Sequence, residues 1–132
     1  MPDITSDHTS SQTSDAVELG ELISDWLDWK ATGVALGVSV NKVRQLIREH
    51  HLAAAVPREG AGQQVPAELI MDGQIVKGVP GLLTLLHDGM YDDREILVWL
   101  FTPDDSLPGR PIDALRENRG SEVKRRAQAM AL

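Results

Sequence analysis

The sequence predicts a mainly helical α+β fold, and two patterns support this prediction. Apolar residues recur three and four positions apart in several stretches, which is the spacing of one buried helix face. A short apolar run at 52–56 is followed by turn residues at 57–62 and a returning stretch at 63–66, which predicts a hairpin of two short strands. A chain of 132 residues forms one domain with room for an appendage, and two full-sized domains would not fit.

The composition excludes several classes of protein and of site. Hydrophobic residues make up 42% and charged residues 25% of the chain, both ordinary for a soluble globular protein. The absence of cysteine excludes disulfides, thiolate nucleophiles and cysteine-ligated metal sites. No stretch approaches ~18 uninterrupted apolar residues, so no membrane span is expected. Residues 1–12 are polar and acidic, unlike a secretory signal, and we therefore expect a cytoplasmic protein.

Residues 1–15 are predicted to form a disordered acidic tail that is rich in Ser and Thr. Such a segment buries too little apolar surface to offset the entropy cost of ordering it. From residue 15 onward the pattern becomes helical, because apolar side chains recur at spacings of three and four. This stripe consists of Val17, Leu19, Leu22, Ile23, Trp26 and Leu27.

Two further helices are predicted to follow closely. Asp28 is a candidate N-cap for a helix over 29–36, and Ser39 is a candidate N-cap for one over 40–50. Both side chains carry an oxygen that can accept a hydrogen bond from a free amide in the first turn.

The predicted hairpin joins an apolar run at 52–56 to a returning strand at 63–66. Because Pro66 has no amide donor, it is expected at the strand end or on an edge. Residues 71–74 predict another turn, and 74–77 an extended stretch.

The remainder of the chain is predicted to be helical. Gly89 is expected to end the first of these helices, either Asp92 or Asp93 to cap the second, and Ser121 to cap the last. The four predicted helices lie at 80–87, 94–101, 112–116 and 122–130.

The segment 29–48 meets the packing demands of a helix-turn-helix, in which two helices cross steeply through a tight turn. Gly37 supplies the positive φ that the turn needs, and the small Gly33 lets the two helices approach closely. The positions expected to be buried are aliphatic, namely Leu36, Val38, Val43 and Leu46. With the hairpin that follows, residues 16–70 are predicted to form a winged helix-turn-helix with a two-stranded wing, and 74–132 a small helical subdomain.

The outward face of the second helix carries side chains that can read DNA. Arg donates to guanine, and Asn or Gln to adenine, in the major groove, whereas Lys42 and Arg58 are expected on phosphate. The predicted DNA-binding residues are Ser39, Asn41, Lys42, Arg44, Gln45, Arg48 and Arg58. The alternatives are a helix with a merely solvated basic face, and a structural hairpin whose Arg58 is solvated.

The charge distribution limits how this protein can bind a nucleic acid. A net charge of −7 argues against a non-specific coat, because such binding depends on neutralising phosphates. The charge is uneven, since 1–25 has no Lys or Arg whereas 26–66 and 107–132 are net basic. The first basic segment is compatible with a small reading surface. The second, centred on 124–126, can contact the DNA backbone or an acidic partner, or it can interact favourably with the helix dipole.

Two parts of the chain resemble known proteins. LGVSVNKVRQLIREHHL (36–52) is similar to the helix-turn-helix of MerR-like and excisionase-like winged domains, and 76–107 with 122–131 is similar to an actinobacterial family of winged helix-turn-helix DNA-binding proteins. The resemblance implies double-stranded DNA binding, transcriptional regulation, and a Ser/Thr protein kinase that phosphorylates the tail and weakens DNA binding. An added phosphate makes an acidic tail more repulsive to DNA. The candidate acceptors are Thr5, Thr9 and Thr13.

A second resemblance covers residues 99–131, which are similar to the toxin-binding domain of Xre/MbcA/ParS-type antitoxins. The matching residues are Thr102, Pro103, Gly109, Arg110 and Pro111. It implies an alternative function, in which the C-terminal helical region binds a protein partner. A homodimer on a palindromic DNA site is a further open alternative.

No catalytic, metal or cofactor site is predicted. The adjacent His50 and His51 diverge around a helix, and His87 lies far along the chain without a metal-ligand spacing. The paired acids at 92–93 and 104–105 stand where a cap or a turn is expected. We therefore expect no enzymatic activity, and we expect the tryptophans to pack in the core rather than stack on bases.

Overall fold

The computed structural model describes residues 19–132. The predicted disordered tail at 1–15, its threonines Thr5, Thr9 and Thr13, and Val17 of the helical stripe lie outside the described residues. None of the helices in the described part is long and apolar enough to cross a membrane.

Short helices dominate the described chain, with two small antiparallel sheets between them, so the predicted mainly helical α+β fold is confirmed. Residues 19–22 are helical (α1), and 67–69 form a single 3-10 turn. The strands are β1 (Trp26–Leu27), β2 (Val65–Pro66), β3 (Ile70–Met71) and β4 (Gln74–Ile75). The other helices are α2 (Trp29–Leu36), α3 (Val40–Arg48), α4 (Val79–Asp88), α5 (Asp93–Phe101), α6 (Pro111–Arg116) and α7 (Gly120–Met130).

The prediction that Trp26 and Leu27 continue the first helical stripe is wrong. They form β1, which pairs antiparallel with β2, Trp26 opposite Pro66 and Leu27 opposite Val65. The indole nitrogen of Trp26 also donates to the carbonyl oxygen of Ile23 at 2.7 Å. A strand partner nearly forty residues away thus ends the helical pattern, and apolar spacing alone carries no information about that partner.

The predicted hairpin is present in reduced form. Its two arms meet in one antiparallel bridge, with paired hydrogen bonds of 3.0 and 2.9 Å between the backbones of Ala55 and Gln64. The returning strand β2 then pairs with β1 rather than with 52–54. Pro66 is the last residue of β2, as its missing amide predicted.

A second hairpin joins β3 to β4 through the turn predicted at 71–74. Asp72 and Gly73 adopt φ values of 54° and 77°. Two successive positive φ angles match the right-handed twist of a tight two-residue hairpin, for which Asp-Gly is a preferred sequence.

The helix termini in the C-terminal part confirm one prediction and correct another. Asp92, one of the two predicted candidates, caps α5 in a reciprocal capping box with Glu95. Ser121 does not cap α7, which begins at Gly120. The backbone leaves α6 through a tight turn whose last amide, that of Arg119, bonds the carbonyl of Ala114 at 2.8 Å, so α7 starts immediately afterwards.

One hydrophobic core runs through both predicted parts of the chain. Its buried side chains extend from Leu19 in α1 to Ala127 in α7, and Phe101 is the largest of those fully buried. The three tryptophans are partly buried against this core, as expected. The winged region and the helical region therefore fold around shared apolar contacts rather than as separate cores.

Candidate nucleic-acid interface

The helix-turn-helix is built by two side-chain caps and one glycine. The carboxylate of Asp28 accepts from the amide of Ala31 at 2.7 Å and starts α2. The hydroxyl of Ser39 accepts from the amide of Lys42 at 3.1 Å and starts α3. Between them Gly37 adopts φ 70° and ψ 34°, the left-handed conformation that the sequence predicted for the turn.

The two helices approach each other most closely at Gly33. A Cβ atom at this position would lie 2.7 Å from the carbonyl oxygen of Val38, closer than carbon and oxygen can approach. The neighbouring Thr32 is fully buried, and its hydroxyl donates to the carbonyl of Asp28 at 2.7 Å. A small residue at 33 is therefore a geometric requirement of the crossing.

The inner face of α3 holds the helix against the core. Val43 is completely buried, while Leu46, Ile47 and Leu36 of α2 are partly buried and pack on the core. Burying an aliphatic side chain contributes on the order of 1.5–3 kcal/mol. These contacts fix the direction in which the other face of α3 points.

The outer face of α3 is open to solvent at four of the predicted positions, Asn41, Lys42, Arg44 and Arg48. Within residues 19–132, no carboxylate forms an ion pair with Lys42, Arg44 or Arg48. Gln45 is half-buried, and its amide donates to the carboxylate of Glu49 at 3.1 Å. One N–H of the Gln45 amide is therefore used within α3, while its second N–H and its carbonyl oxygen remain for a base contact.

The tip of the first hairpin carries Arg58 on an exposed turn. The amide of Ala61 bonds the carbonyl of Arg58 at 3.1 Å, and Gly60 adopts φ 86° within this turn. The base of the tip is tightly packed, because a Cβ on Gly20 would lie 2.6 Å from the carbonyl oxygen of Pro57. Helix α1 thus packs against the base of the hairpin tip, and Arg58 is exposed to solvent.

The second basic segment is largely occupied by contacts within the protein. Arg116 donates to the carbonyls of Glu68 and Ile70 at 2.7 and 3.2 Å. Arg126 donates to Ser106, at 2.9 Å to its hydroxyl and 3.1 Å to its carbonyl. Of the residues at 124–126, Lys124 and Arg125 are exposed.

The loop that carries the antitoxin resemblance is also used internally. The guanidinium of Arg110 makes a two-pronged contact with Glu68 at 2.7 and 3.2 Å and binds Asp113 at 2.7 and 3.0 Å. These hydrogen bonds lower the pKa of the Asp113 carboxyl and raise the pKa of Arg110. Pro111 is buried. The contacts of Arg110 and Pro111 therefore lie within the protein itself.

One member of each acidic pair acts as a cap or in a turn, the role expected for the pair. Asp92 caps α5. The carboxylate of Asp104 accepts from the amide and the hydroxyl of Ser106 at 2.8 and 2.6 Å, which lowers the pKa of that carboxyl.

The structure brings together three polar residues that sequence reasoning kept apart. The rings of His50 and His87 stack with centroids 3.8 Å apart, and His87 lies 2.6 Å from the carboxylate of Asp93. Sequence patterns carry no signal for this contact, because His50 follows α3, His87 lies in α4, and the two meet only through tertiary packing.

Comparisons with known proteins agree with this geometry. Residues 21–70 match the family model described as "DNA-binding protein Rv2175c, wHTH domain", and residues 76–131 match the "Rv2175c C-terminal domain of unknown function". The chain is 50% identical over 109 residues to the DNA-binding protein Rv2175c of Mycobacterium tuberculosis (strain ATCC 25618 / H37Rv), covering 73% of each sequence.

The fold is also similar to a solved structure, the NMR structure of Rv2175c. The TM-score is 0.75 at 45% sequence identity, and the match covers 82% of each chain. Both the sequence and the arrangement of elements therefore place this chain in the Rv2175c family of winged helix-turn-helix DNA-binding proteins.

Proposed function

We propose that this protein binds double-stranded DNA with α3 in the major groove, and that it regulates transcription in the cytoplasm. The observation that carries the proposal is the outer face of α3, where Arg44 and Arg48 are exposed and have no carboxylate partner within residues 19–132. Arginines that are neither paired nor buried are available to donate to guanine edges. The name of the 50% identical relative supports the same activity.

Different residues of this surface have different expected roles. Arg44, Asn41 and Arg48 are proposed to read bases, whereas Lys42 on α3 and Arg58 on the hairpin tip are proposed to contact phosphates. Base contacts supply discrimination between sequences, and phosphate contacts supply affinity that falls with salt.

The binding test starts with selection of duplexes from a random pool by the full chain, followed by measurement of the variant Arg44→Ala on the selected duplex. The expected loss is about 1–3 kcal/mol, roughly 5- to 150-fold in affinity, and a smaller loss on unrelated duplexes. Lys42→Ala is expected to weaken binding to all duplexes and to reduce the salt dependence by about one phosphate contact.

The matched control is Lys124→Ala, which removes an exposed cation from α7. It should leave the affinity for the selected duplex unchanged. Equal losses of affinity for Arg44→Ala on every duplex would refute base reading, and failure to select any duplex would refute DNA binding. A palindromic selected sequence would support a homodimer on two half-sites.

We further propose that phosphorylation of the N-terminal tail weakens DNA binding. Residues 1–25 contain six acids and no Lys or Arg, so each phosphate adds about −1.5 to −2 charges to an already repulsive segment. The test replaces Thr5, Thr9 and Thr13 by Glu, one at a time, and measures affinity for the selected duplex. Unchanged affinity in all three variants, and in protein phosphorylated by a Ser/Thr kinase, would refute this regulation.

A further inference from the structure

Three side chains from different elements converge behind the end of α3, and we refer to His50, His87 and Asp93 as the His–His–Asp cluster. His50 follows α3, His87 lies in the last turn of α4, and Asp93 is the first residue of α5. One nitrogen or oxygen atom from each of the three lies within 4.8 Å of those from the other two. All three residues are half-buried.

The backbone holds His50 in a conformation that this residue type rarely adopts. Its φ is 60°, in the left-handed region that favours Gly and Asn. Two hydrogen bonds fix it there, from the amide of His50 to the carbonyl of Ile47 at 3.1 Å and from the amide of His51 to the carbonyl of Leu46 at 2.9 Å. These bonds fix the backbone from which the imidazole of His50 extends to the ring of His87.

The imidazole of His50 has an unsatisfied nitrogen. Its Nδ1 is buried and has no hydrogen-bond partner within the described chain. Buried polar atoms are nearly always satisfied, so an orphaned ring nitrogen beside a second histidine and a carboxylate marks a missing partner.

We propose that the His–His–Asp cluster binds a divalent transition-metal ion of the zinc class. Two imidazoles and one carboxylate are the donors that such ions prefer, whereas Ca²⁺ and Mg²⁺ favour sites made of oxygen alone. Three protein ligands leave a fourth position for water. The site lies outside the outer face of α3 and goes beyond the proposed DNA binding.

Metal binding requires the two imidazoles to rotate out of their stacked arrangement, because a ring nitrogen donates in the plane of its ring and the two ring planes lie only 24° apart. With metal–ligand bonds of about 2.0–2.1 Å, tetrahedral ligands lie roughly 3.3 Å apart. The His87–Asp93 pair must therefore open from 2.6 Å, and the proton on Nε2 of neutral His87 must leave that nitrogen while Nδ1 takes one up, so that His87 binds the metal as a neutral imidazole. The other carboxylate oxygen of Asp93 accepts from the amide of Ala54 at 3.1 Å, which orients the ligand.

The bound ion would cross-link three separate elements of the fold. It would link the end of α3 to α4 and α5, and so fix the DNA-facing helix relative to the C-terminal helices. Because the folded chain offers a preformed site and the unfolded chain does not, binding should raise the unfolding temperature.

The test uses the full chain with Zn²⁺ alone, and with Co²⁺ as a spectroscopic probe. The expected results are a rise in unfolding temperature that saturates at one equivalent of Zn²⁺ and reverses with a chelator, and visible Co²⁺ absorption bands. His87→Gln and Asp93→Asn should each weaken Zn²⁺ binding at least tenfold. Asp93→Asn keeps an oxygen that can accept from the amide of Ala54.

Two control variants preserve the cluster, namely Asp92→Asn and His51→Asn. Each removes a donor that neighbours a cluster residue in the sequence, and each should bind Zn²⁺ as the unmodified protein does. His50→Asn suits the positive φ and secures a folded variant that lacks the first ligand. Zn²⁺ binding that survives in the cluster variants, or an unfolding temperature that responds to pH but not to Zn²⁺, would overturn the proposal and leave a hydrogen-bonded His–Asp pair only.

Discussion

The arginines of this protein divide into two groups according to what their guanidinium groups contact. Arg110, Arg116 and Arg126 donate to carboxylates, carbonyls or hydroxyls of the protein itself, and each is partly buried. Arg44 and Arg48 are exposed on α3 without such contacts. Net charge alone cannot separate these groups, because both kinds of arginine carry the same charge.

Two helical glycines allow two effects of an added methyl group to be compared: a steric clash with a neighbouring atom, and the lower backbone entropy cost of folding alanine than glycine. Gly33→Ala places a methyl group 2.7 Å from the carbonyl oxygen of Val38, and we expect a loss of about 1–3 kcal/mol in the free energy of unfolding. Gly81→Ala, in α4, meets nothing within 4 Å and should gain roughly 0.5–1 kcal/mol. Urea denaturation measures both, and equal effects of the two substitutions would contradict the packing argument.

The carboxyl group of Asp113 provides a prediction about acid stability. Because hydrogen bonds from Arg110 lower its pKa below the ordinary 3.8, ionised Asp113 stabilises the folded state above that pH, and the stabilisation is lost as pH falls through the folded-state pKa. The difference in unfolding free energy between the unmodified protein and Asp113→Asn should therefore shrink below pH 4. Denaturant titrations across this range measure it, with the exposed Asp105→Asn as control. A difference that is independent of pH would contradict the prediction.

At the scale of elements, four helices are followed by a residue in the left-handed conformation, although only one of these four residues is glycine. The left-handed residue is Gly37 after α2, His50 after α3, Met90 after α4 and Asn118 after α6. In each, the amide of the next residue bonds a carbonyl five positions back, at 2.8–2.9 Å. Gly89, the expected stop of α4, is needed for another reason, since its Cβ would lie 2.9 Å from Ala131 in the C-terminal turn.

Met90 is the least suited of these four residues to its conformation. It has φ 74° and is 90% exposed, so its side chain gains little from packing. Met90→Gly removes the left-handed cost of about 1–2 kcal/mol at a smaller cost in unfolded-chain entropy, and should stabilise the protein by roughly 0.5–1 kcal/mol. Met90→Ala keeps the strained φ and should give no gain. Thermal unfolding distinguishes them, and equal stabilities would rule out backbone strain at 90.

At the scale of the whole molecule, the winged region and the C-terminal helices are joined by polar contacts as well as by the shared core. The Arg110–Glu68 pair spans the two parts with both side chains about three-quarters buried, and Arg110 also lies over the ring of Phe101, 5.4 Å from its centroid. Arg116 adds two hydrogen bonds to backbone carbonyls of the same segment. This junction fixes the segment that enters the second hairpin.

A double-mutant cycle can measure the Arg110–Glu68 junction. Charge-assisted hydrogen bonds are worth about 1.5–3 kcal/mol each to stability, so Arg110→Ala and Glu68→Gln should each destabilise the protein, and their effects should not add. The exposed Arg119–Glu117 pair is the control, with an expected coupling of about 0–1 kcal/mol. Additive effects at Arg110 and Glu68 would show that the pair does not hold the two parts together.

The local sequence determined the helix-turn-helix and the general fold. Gly37, Gly33 and the caps Asp28 and Ser39 act within a few residues of their own positions, and short-range sterics and hydrogen bonds suffice to predict them. The exposed face of α3 follows from the same helical period, and so does the contact of Gln45 with Glu49, which lies four residues further along the chain.

Only the tertiary structure decided the features that depend on distant partners. The strand at Trp26 forms because β2 pairs with it, the arginines at 110 and 116 are engaged because the 3-10 turn and β3 lie beside them, and His50 meets His87 because α3 packs near α4. Periodicity and propensity describe a segment in isolation, whereas each of these contacts depends on where the rest of the chain is placed.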